Sequence, residues 1–201
     1  MLERRSALVA HRLLQPGTVL VPPLGGIAAV TLAERRPLSI FQVSAFARDF
    51  DEAGTRLART LGIEMPAPNR FTGDLATSVR ALGPGIWQIV GNEGALPDPA
   101  NLRAALSGAA TVVDLSHART ALQVSGACAA RALAKHCGLD LHAARFATGS
   151  ATNTRFGHIG MTLARLGDTP VFELLVFRGY AEFVFDALVE AAGEFGLQIN
   201  T

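Results

Sequence analysis

The spacing of hydrophobic residues changes from segment to segment along this chain, and the changes mark out its elements. Residues 40–46 alternate, with Phe41, Val43 and Ala45 opposite Ile40, Gln42 and Ser44, which predicts a strand. Phe50, Ala53, Gly54, Leu57 and Leu61 then recur at helical spacing. Asp49 is placed to cap that helix, with Glu52 as its capping-box partner and Gly62 as its stop. Pro66, Pro68, Asn69 and Gly73 mark a loop, and residues 78–82 and 86–90 predict a hairpin about Gly83-Pro84-Gly85. Asp98 and Pro99 suit the N-cap and first position of a short helix, with Leu102, Ala105 and Leu106 on its apolar face and Gly108 at its end. A strand at 111–115 completes the order βαββαβ, a ferredoxin-like unit.

The order then repeats. A polar hairpin turn, Ser116-His117-Ala118, leads into an alternating strand at 120–125 with Leu122 and Val124 on one face. From Gly126 the period becomes helical, with Ala130, Leu133, Ala134 and Cys137 as the stripe and Gly138 as the stop. A segment at 157–166, a turn at Gly167-Asp168 and a strand at 171–177 follow. A long helix from about Tyr180 to Phe195 ends at Gly196, and residues 197–199 can close the sheet. Two short matches support a duplication: Phe41-Gln42-Val43-Ser44 with Leu122-Gln123-Val124-Ser125, and Trp87-Gln88-Ile89-Val90 with Phe172-Glu173-Leu174-Leu175. The expected fold class is α+β, two stacked ferredoxin-like halves at 37–116 and 117–201 behind an extended N-terminal arm at 1–36.

Residues 13–33 of that arm carry no charge, which raises the question of a membrane span. Pro16, Pro22-Pro23 and Gly25-Gly26 argue against a lone lipid-exposed helix, and equally against the apolar core of a signal peptide. An extended arm this apolar needs covering, either by its own domain or by another chain. The last helix is expected to bury Tyr180, Val184, Ala187, Leu188, Ala191 and Phe195, while Phe183, Phe185 and Val189 widen its apolar arc beyond what one sheet covers. Glu182, Asp186 and Glu190 form a narrow acidic strip, read either as a solvated face or as a contact for a basic surface.

Composition sharpens this picture. Eighteen Lys and Arg against seventeen Asp and Glu give a net charge of +1, so no electrostatic footprint for nucleic acid or an anionic membrane is present. Charged residues make up 17% of the chain, against roughly 25% in ordinary soluble domains. A chain so poor in charge is expected either to bury surface against partner subunits or to be a compact, Ala-rich protein. Cys128 and Cys137 fall on opposite sides of one predicted helix and can neither bridge nor share a metal, which fits a reduced, cytoplasmic setting.

Candidate chemistry is sparse. No Gly-x-Gly-x-x-Gly follows a strand and no Gly-Lys-Ser/Thr closes a phosphate loop, so FAD or NAD binding by this chain is not expected. In Asp114-Leu115-Ser116-His117 the alternation of a strand sets His117 away from Asp114 and Ser116, which suits a polar turn better than a catalytic triad. His117, His136, His142 and His158 lack metal-ligand spacing. No residue of the chain is therefore expected to be catalytic, cofactor-binding or metal-binding. Trp87, Asp140 and Arg155 or Arg178 have the types a folate pocket would use, with nothing in the sequence to place them together.

Asp114-Leu115-Ser116, the strand ending at Gly126 and the pair Asp140-Leu141 resemble the folate-binding fold of the glycine-cleavage aminomethyltransferases. With the run from Gly157 to Gly196, the chain is more specifically similar to the gamma-subunit family of heterotetrameric sarcosine oxidases, over roughly Pro37 to Leu197. That resemblance implies a non-catalytic subunit of a complex that oxidatively demethylates sarcosine to glycine, yields hydrogen peroxide and passes the one-carbon unit to tetrahydrofolate. It further implies alpha, beta and delta subunits as partners, with FAD, FMN, NAD and zinc held by those other chains. A subunit of a related N-methylamino acid dehydrogenase, such as N-methylglutamate dehydrogenase, is one alternative. An independent folate-binding one-carbon-transfer protein and a homo-oligomeric scaffold are others.

Overall fold

The computed structural model describes residues 5–8, 17–20 and 27–200. In chain order the elements are β1 (Val19–Leu20), β2 (Val30–Arg35), β3 (Leu38–Ala45), α1 (Phe50–Leu61), β4 (Phe71–Gly73), β5 (Thr77–Gly83), β6 (Ile86–Asn92), α2 (Pro99–Ala105) and β7 (Ala110–Asp114). Then come β8 (Arg119–Ser125), α3 (Ala129–Ala134), β9 (Ala151–Phe156), β10 (Ile159–Gly167), β11 (Val171–Phe177), α4 (Ala181–Ala192) and β12 (Leu197–Asn200). They form two compact units. One is Pro37–His117, and the other joins the residues up to Arg36 to those from Ala118 onward.

In the first unit the sheet order is β4-β5-β6-β3-β7, antiparallel throughout. Taking β3, β5, β6 and β7 as the four strands of a ferredoxin-like unit, the order is 4-1-3-2 with β4 added at one edge. Alternation along β3 sends Phe41 and Val43 to one face, where they meet Leu57 of α1, Leu102 of α2, Leu106 at its C-cap, Ile89 and Val112 in one apolar core. Each fully buried Leu, Ile or Phe contributes roughly 1.5–3 kcal/mol. α1 ends at Gly62, whose left-handed backbone (φ 67°) lets its N–H reach the Ala58 carbonyl. Asp98 caps α2 as its sequence predicts, its side chain accepting the Ala100 N–H at 2.7 Å.

The capping box at Asp49 and Glu52 does not form. Residues Ala47–Asp49 make a 3-10 turn that runs straight into α1, Asp49 makes no side-chain cap bond, and Glu52 pairs with Arg56 one turn along. β4 lies inside the stretch expected as a loop. Three residues after prolines and an asparagine carry no periodic signal, and only pairing with β5 defines them.

The second unit has the order β1-β12-β2-β8-β11-β10-β9. Its four ferredoxin-like strands are β8, β10, β11 and β12, with β9 at the edge matching β4. The departure is β2, which enters between β12 and β8, parallel to the former and antiparallel to the latter. The stretch expected as an N-terminal arm thus supplies a fully paired interior strand, with Val30 and Leu32 buried in the core beside Leu122, Val124 and Phe172. The strand residues of the two short sequence matches occupy equivalent register: Gln42 opposite Gln88 and Gln123 opposite Glu173, Val43 opposite Trp87 and Val124 opposite Phe172.

Gly126 earns its place in the pattern by sterics. With φ at 108°, a Cβ there would lie 2.4 Å from the Ala29 carbonyl oxygen, which also accepts the Cys128 N–H. α3 is shorter than its sequence pattern and turned differently: Ala129, Ala132 and Leu133 are buried, whereas Ala134 is exposed. Cys137 is buried just past the helix, and both cysteines are free. The polar turn after β7 is not a hairpin, because β7 pairs with β3 in one sheet while β8 pairs with β11 and β2 in the other. β9 is polar along Thr152, Asn153, Thr154 and Arg155, so its strand character comes from the ladder with β10.

Candidate functional site

α4 settles which of its apolar residues are structural. Val184, Phe185, Leu188, Ala191 and Ala192 are buried, and Val189 packs against the same core, so Phe185 and Val189 are absorbed by the unit's own sheet. Phe183 is not absorbed and stays 62% exposed. Tyr180, expected inward, is 53% exposed, because a 3-10 turn (Arg178–Tyr180) precedes the helix and shifts Tyr180 off the buried stripe. Phe177 ends β11 at 47% exposure. Three aromatic side chains within seven residues therefore face outward at the corner between β11 and α4.

Arg119 supports this corner. It lies opposite Phe177 at the end of the β8–β11 ladder, and its guanidinium sits 3.6 Å from the centre of the Phe177 ring. Its Nε is buried with no hydrogen-bond acceptor among the described residues, and the ring face offsets part of the cost of burying the cation. Burial lowers the Arg119 pKa from its ordinary value, although the guanidinium stays charged at neutral pH. The sequence does not signal this pair, since Arg119 and Phe177 become neighbours only once the strand register is known.

Glu182, Asp186 and Glu190 are exposed along the same helix as Phe183. Glu182 stands in the first turn, where the positive end of the helix favours it. Glu190 stands in the last turn, where the helix end disfavours an anion. There Lys135 offsets the negative end, its Nζ donating to the Ala191 carbonyl at 2.7 Å and pairing with Glu194 at 2.6 Å. The strip thus joins exposed aromatic and acidic groups on one surface, and it is the aromatic side chains that are enriched where another protein chain docks.

The residues of suitable type for a folate pocket are divided between the two units. Trp87 lies on β6 in the five-stranded unit, half-buried against α1 and lining a shallow groove of about 460 Å³ with Phe50, Met65 and Pro66. Asp140, Arg155 and Arg178 belong to the seven-stranded unit, and no hydrogen bond or ion pair joins them among the described residues. Asp140 accepts the His142 N–H at 3.0 Å, Arg155 is exposed on β9, and Arg178 is exposed at the aromatic corner. A second groove, about 520 Å³, contains Asp74, but that carboxylate accepts the Ala76 and Thr77 N–H groups and is committed to its own turn. Asp114 and Ser116 are likewise used by the backbone: Asp114 accepts the Ser116 N–H and Ser116 Oγ accepts the Ile40 N–H. Among the described residues no group of three or more His, Cys, Asp or Glu is placed to hold a metal ion.

The fold places the chain first in a class. The crystal structure of the glycine cleavage system aminomethyltransferase T from Bartonella henselae superposes with a TM-score of 0.69 at 16% identity, covering 98% of this chain and 60% of that one. The two share the fold. More specifically, the model of the family described as "Sarcosine oxidase, gamma subunit family" matches residues 47–194, and the chain belongs to that family. The sarcosine oxidase subunit gamma of Corynebacterium sp. (strain U-96) is 34% identical over 143 residues, covering 69% of this chain and 68% of that protein. The Arthrobacter sp. subunit gamma is 34% identical over 146 residues, 69% of each chain. A chain of the heterotetrameric sarcosine oxidase from Corynebacterium sp. U-96, solved with pyrrole 2-carboxylate, superposes with a TM-score of 0.79 at 29% identity, covering 96% of both chains.

Proposed function

We propose that this chain works as the gamma subunit of a four-chain sarcosine oxidase in the cytoplasm, packing against alpha, beta and delta subunits and making no bond to the reacting substrate itself. The complex would oxidatively demethylate sarcosine to glycine, with release of hydrogen peroxide and transfer of the one-carbon unit to tetrahydrofolate. FAD, FMN, NAD and zinc would be held by the other subunits. The observation that carries this reading is the near full-length likeness to a chain of a heterotetrameric sarcosine oxidase, covering 96% of both chains.

Side-chain placement is consistent with such a role. The carboxylates and hydroxyls singled out in the sequence cap turns, and the exposed aromatic corner offers what a subunit contact needs. Phe177, Tyr180 and Phe183 would form its apolar centre, and the acidic strip on α4 would meet a basic surface on the neighbour.

Co-expression with the three other subunits tests the reading. The chain should co-purify with flavin-absorbing material that oxidises sarcosine, and Phe177→Ser, Tyr180→Ser and Phe183→Ser together should lower its recovery in the complex at least tenfold. Reversing Glu182, Asp186 and Glu190 to Lys should weaken assembly in a salt-dependent way. A solitary chain that binds tetrahydrofolate tightly and turns over substrate alone would overturn the proposal.

A further inference from the structure

Two arginines of the seven-stranded sheet spend their donors inside the unit. Arg35 meets the Glu173 carboxylate at 2.8 Å, and Arg165 donates to the Phe146 carbonyl at 3.0 Å and to the Gly167 and Asp168 carbonyls at 3.4 Å. Arg119 does not. It is half-buried like Arg35, yet among the described residues its guanidinium reaches no hydrogen-bond acceptor and no carboxylate, and its Nε is closed off from solvent.

The Phe177 ring decides which donors are left. A distance of 3.6 Å from the guanidinium carbon to the ring centre is a stacking distance, because an N–H aimed at the ring would hold that carbon further away. The ring therefore covers one face of the guanidinium, and the N–H groups, which lie in its plane, point past the ring edge. The backbone holds the pair in place. Arg119 is the register partner of Phe177, and the ladder runs one residue further, with the Arg178 N–H donating to the Ala118 carbonyl at 2.9 Å. A second cation, exposed Arg178, thus stands at the same strand end, also without an acceptor among the described residues.

A planar carboxylate is the group that accepts two parallel guanidinium N–H bonds. Stacking offsets only part of the cost of drawing this cation out of water, and an acceptor supplied from outside would offset more of it. A free small carboxylate is a poor fit, since Arg119 lies outside both grooves described above and has no enclosing walls. Phe177 and Tyr180, 47% and 53% exposed, instead offer apolar surface on which a second chain can rest. The order of charge agrees: Arg119 and Arg178 stand before α4, and Glu182, Asp186 and Glu190 follow along it, so the complementary surface presents acid first and base after.

We propose that Arg119, stacked on Phe177, receives the side-chain carboxylate of an Asp or Glu of a neighbouring subunit. The proposal rests on the gamma-subunit reading above and names the chemistry that the neighbour brings to this corner.

Zero-length cross-linking of the assembled complex tests it. A water-soluble carbodiimide joins an amine to a carboxylate in contact with it, with net loss of water. In a complex built with the Arg119→Lys chain, peptide mass spectrometry should find position 119 joined to an Asp or Glu of another subunit. Arg119→Gln keeps most of the side chain and removes the charge, and it should raise the dissociation constant of the complex at least fivefold. On the unaltered protein, phenylglyoxal should modify Arg119 at least tenfold more slowly in the complex than in the free chain, a readout that no variant's folding affects. A complex whose position 119 gives no amide, or one only within its own chain, overturns this proposal alone. So does a change below fivefold for Arg119→Gln, or modification slowed less than tenfold by assembly. A chain that forms no complex with the other subunits overturns the functional reading and this proposal with it.

Discussion

At equivalent places in the two sheets stand Gln88 and Glu173, each fully or almost fully buried and each opposite a glutamine of the first strand. Their surroundings differ because only the seven-stranded sheet contains the inserted β2. That strand delivers Arg35, whose guanidinium meets Glu173 at 2.8 Å with the carboxylate wholly out of solvent. The five-stranded sheet has no inserted strand and keeps a neutral amide, with Gln88 Oε1 buried and without a donor among the described residues. A buried anion needs a fixed counter-charge, whereas an amide left partly unsatisfied costs only a few kcal/mol at most. The seven-stranded sheet thus keeps its buried carboxylate where β2, two strands away, supplies the counter-charge, whereas the five-stranded sheet sets the buried Arg80 of β5 opposite the neutral Gln88.

The largest effect is expected at the core positions beside this pair. Phe172→Ala should destabilise by about 4 kcal/mol, because Phe172 is fully buried. The equivalent Trp87→Ala should cost about half as much, because Trp87 is half-buried over Gly54. Urea unfolding of both variants measures the difference, and equal losses would break the equivalence of exposure and cost.

Next comes the ion pair itself. Glu173→Ala should cost about 3 kcal/mol by removing the buried carboxylate that Arg35 meets, while Arg35→Met with Glu173→Leu should return stability to within about 1 kcal/mol of the parent or above it. Gln88→Met should leave the unfolding midpoint unchanged within about 1 kcal/mol or raise it, since it removes an oxygen that has no donor. A Gln88 variant as damaged as Glu173→Ala would show that the two places are energetically alike after all.

The smallest effects separate two aspartates that look alike in sequence. Asp98→Ala should cost about 1 kcal/mol through loss of the α2 cap, and Asp49→Ala should change the midpoint by far less, because Asp49 caps nothing. Thermal unfolding of the pair distinguishes them.

Much of the fold is legible along the chain. Alternation at Phe41 and Val43, the stripe through Ala53 and Leu57, the Asp98-Pro99 start and the Gly62 stop each report a local physical preference, and all are realised. Elements without such a preference are not legible: β9 and β4 are strands by pairing alone. The capping box at Asp49 fails for a related reason, since a 3-10 turn is compatible with the same residues and in it the Asp49 N–H already bonds the Phe46 carbonyl at 2.8 Å.

The candidate site divides along the same line. Sequence places Glu182, Asp186 and Glu190 on one helical strip, and they are exposed on one, because a period of 3.6 fixes which residues share a face. It does not fix the phase at which a helix meets its sheet, so Tyr180 was expected inward and stands outward, while Phe185 and Val189 go into the core. The aromatic corner with its Arg119 support and the insertion of β2 both depend on which strand lies beside which. That is a property of contacts between residues distant in sequence. Local periodicity determined the elements of this protein, and long-range pairing decided what those elements leave exposed.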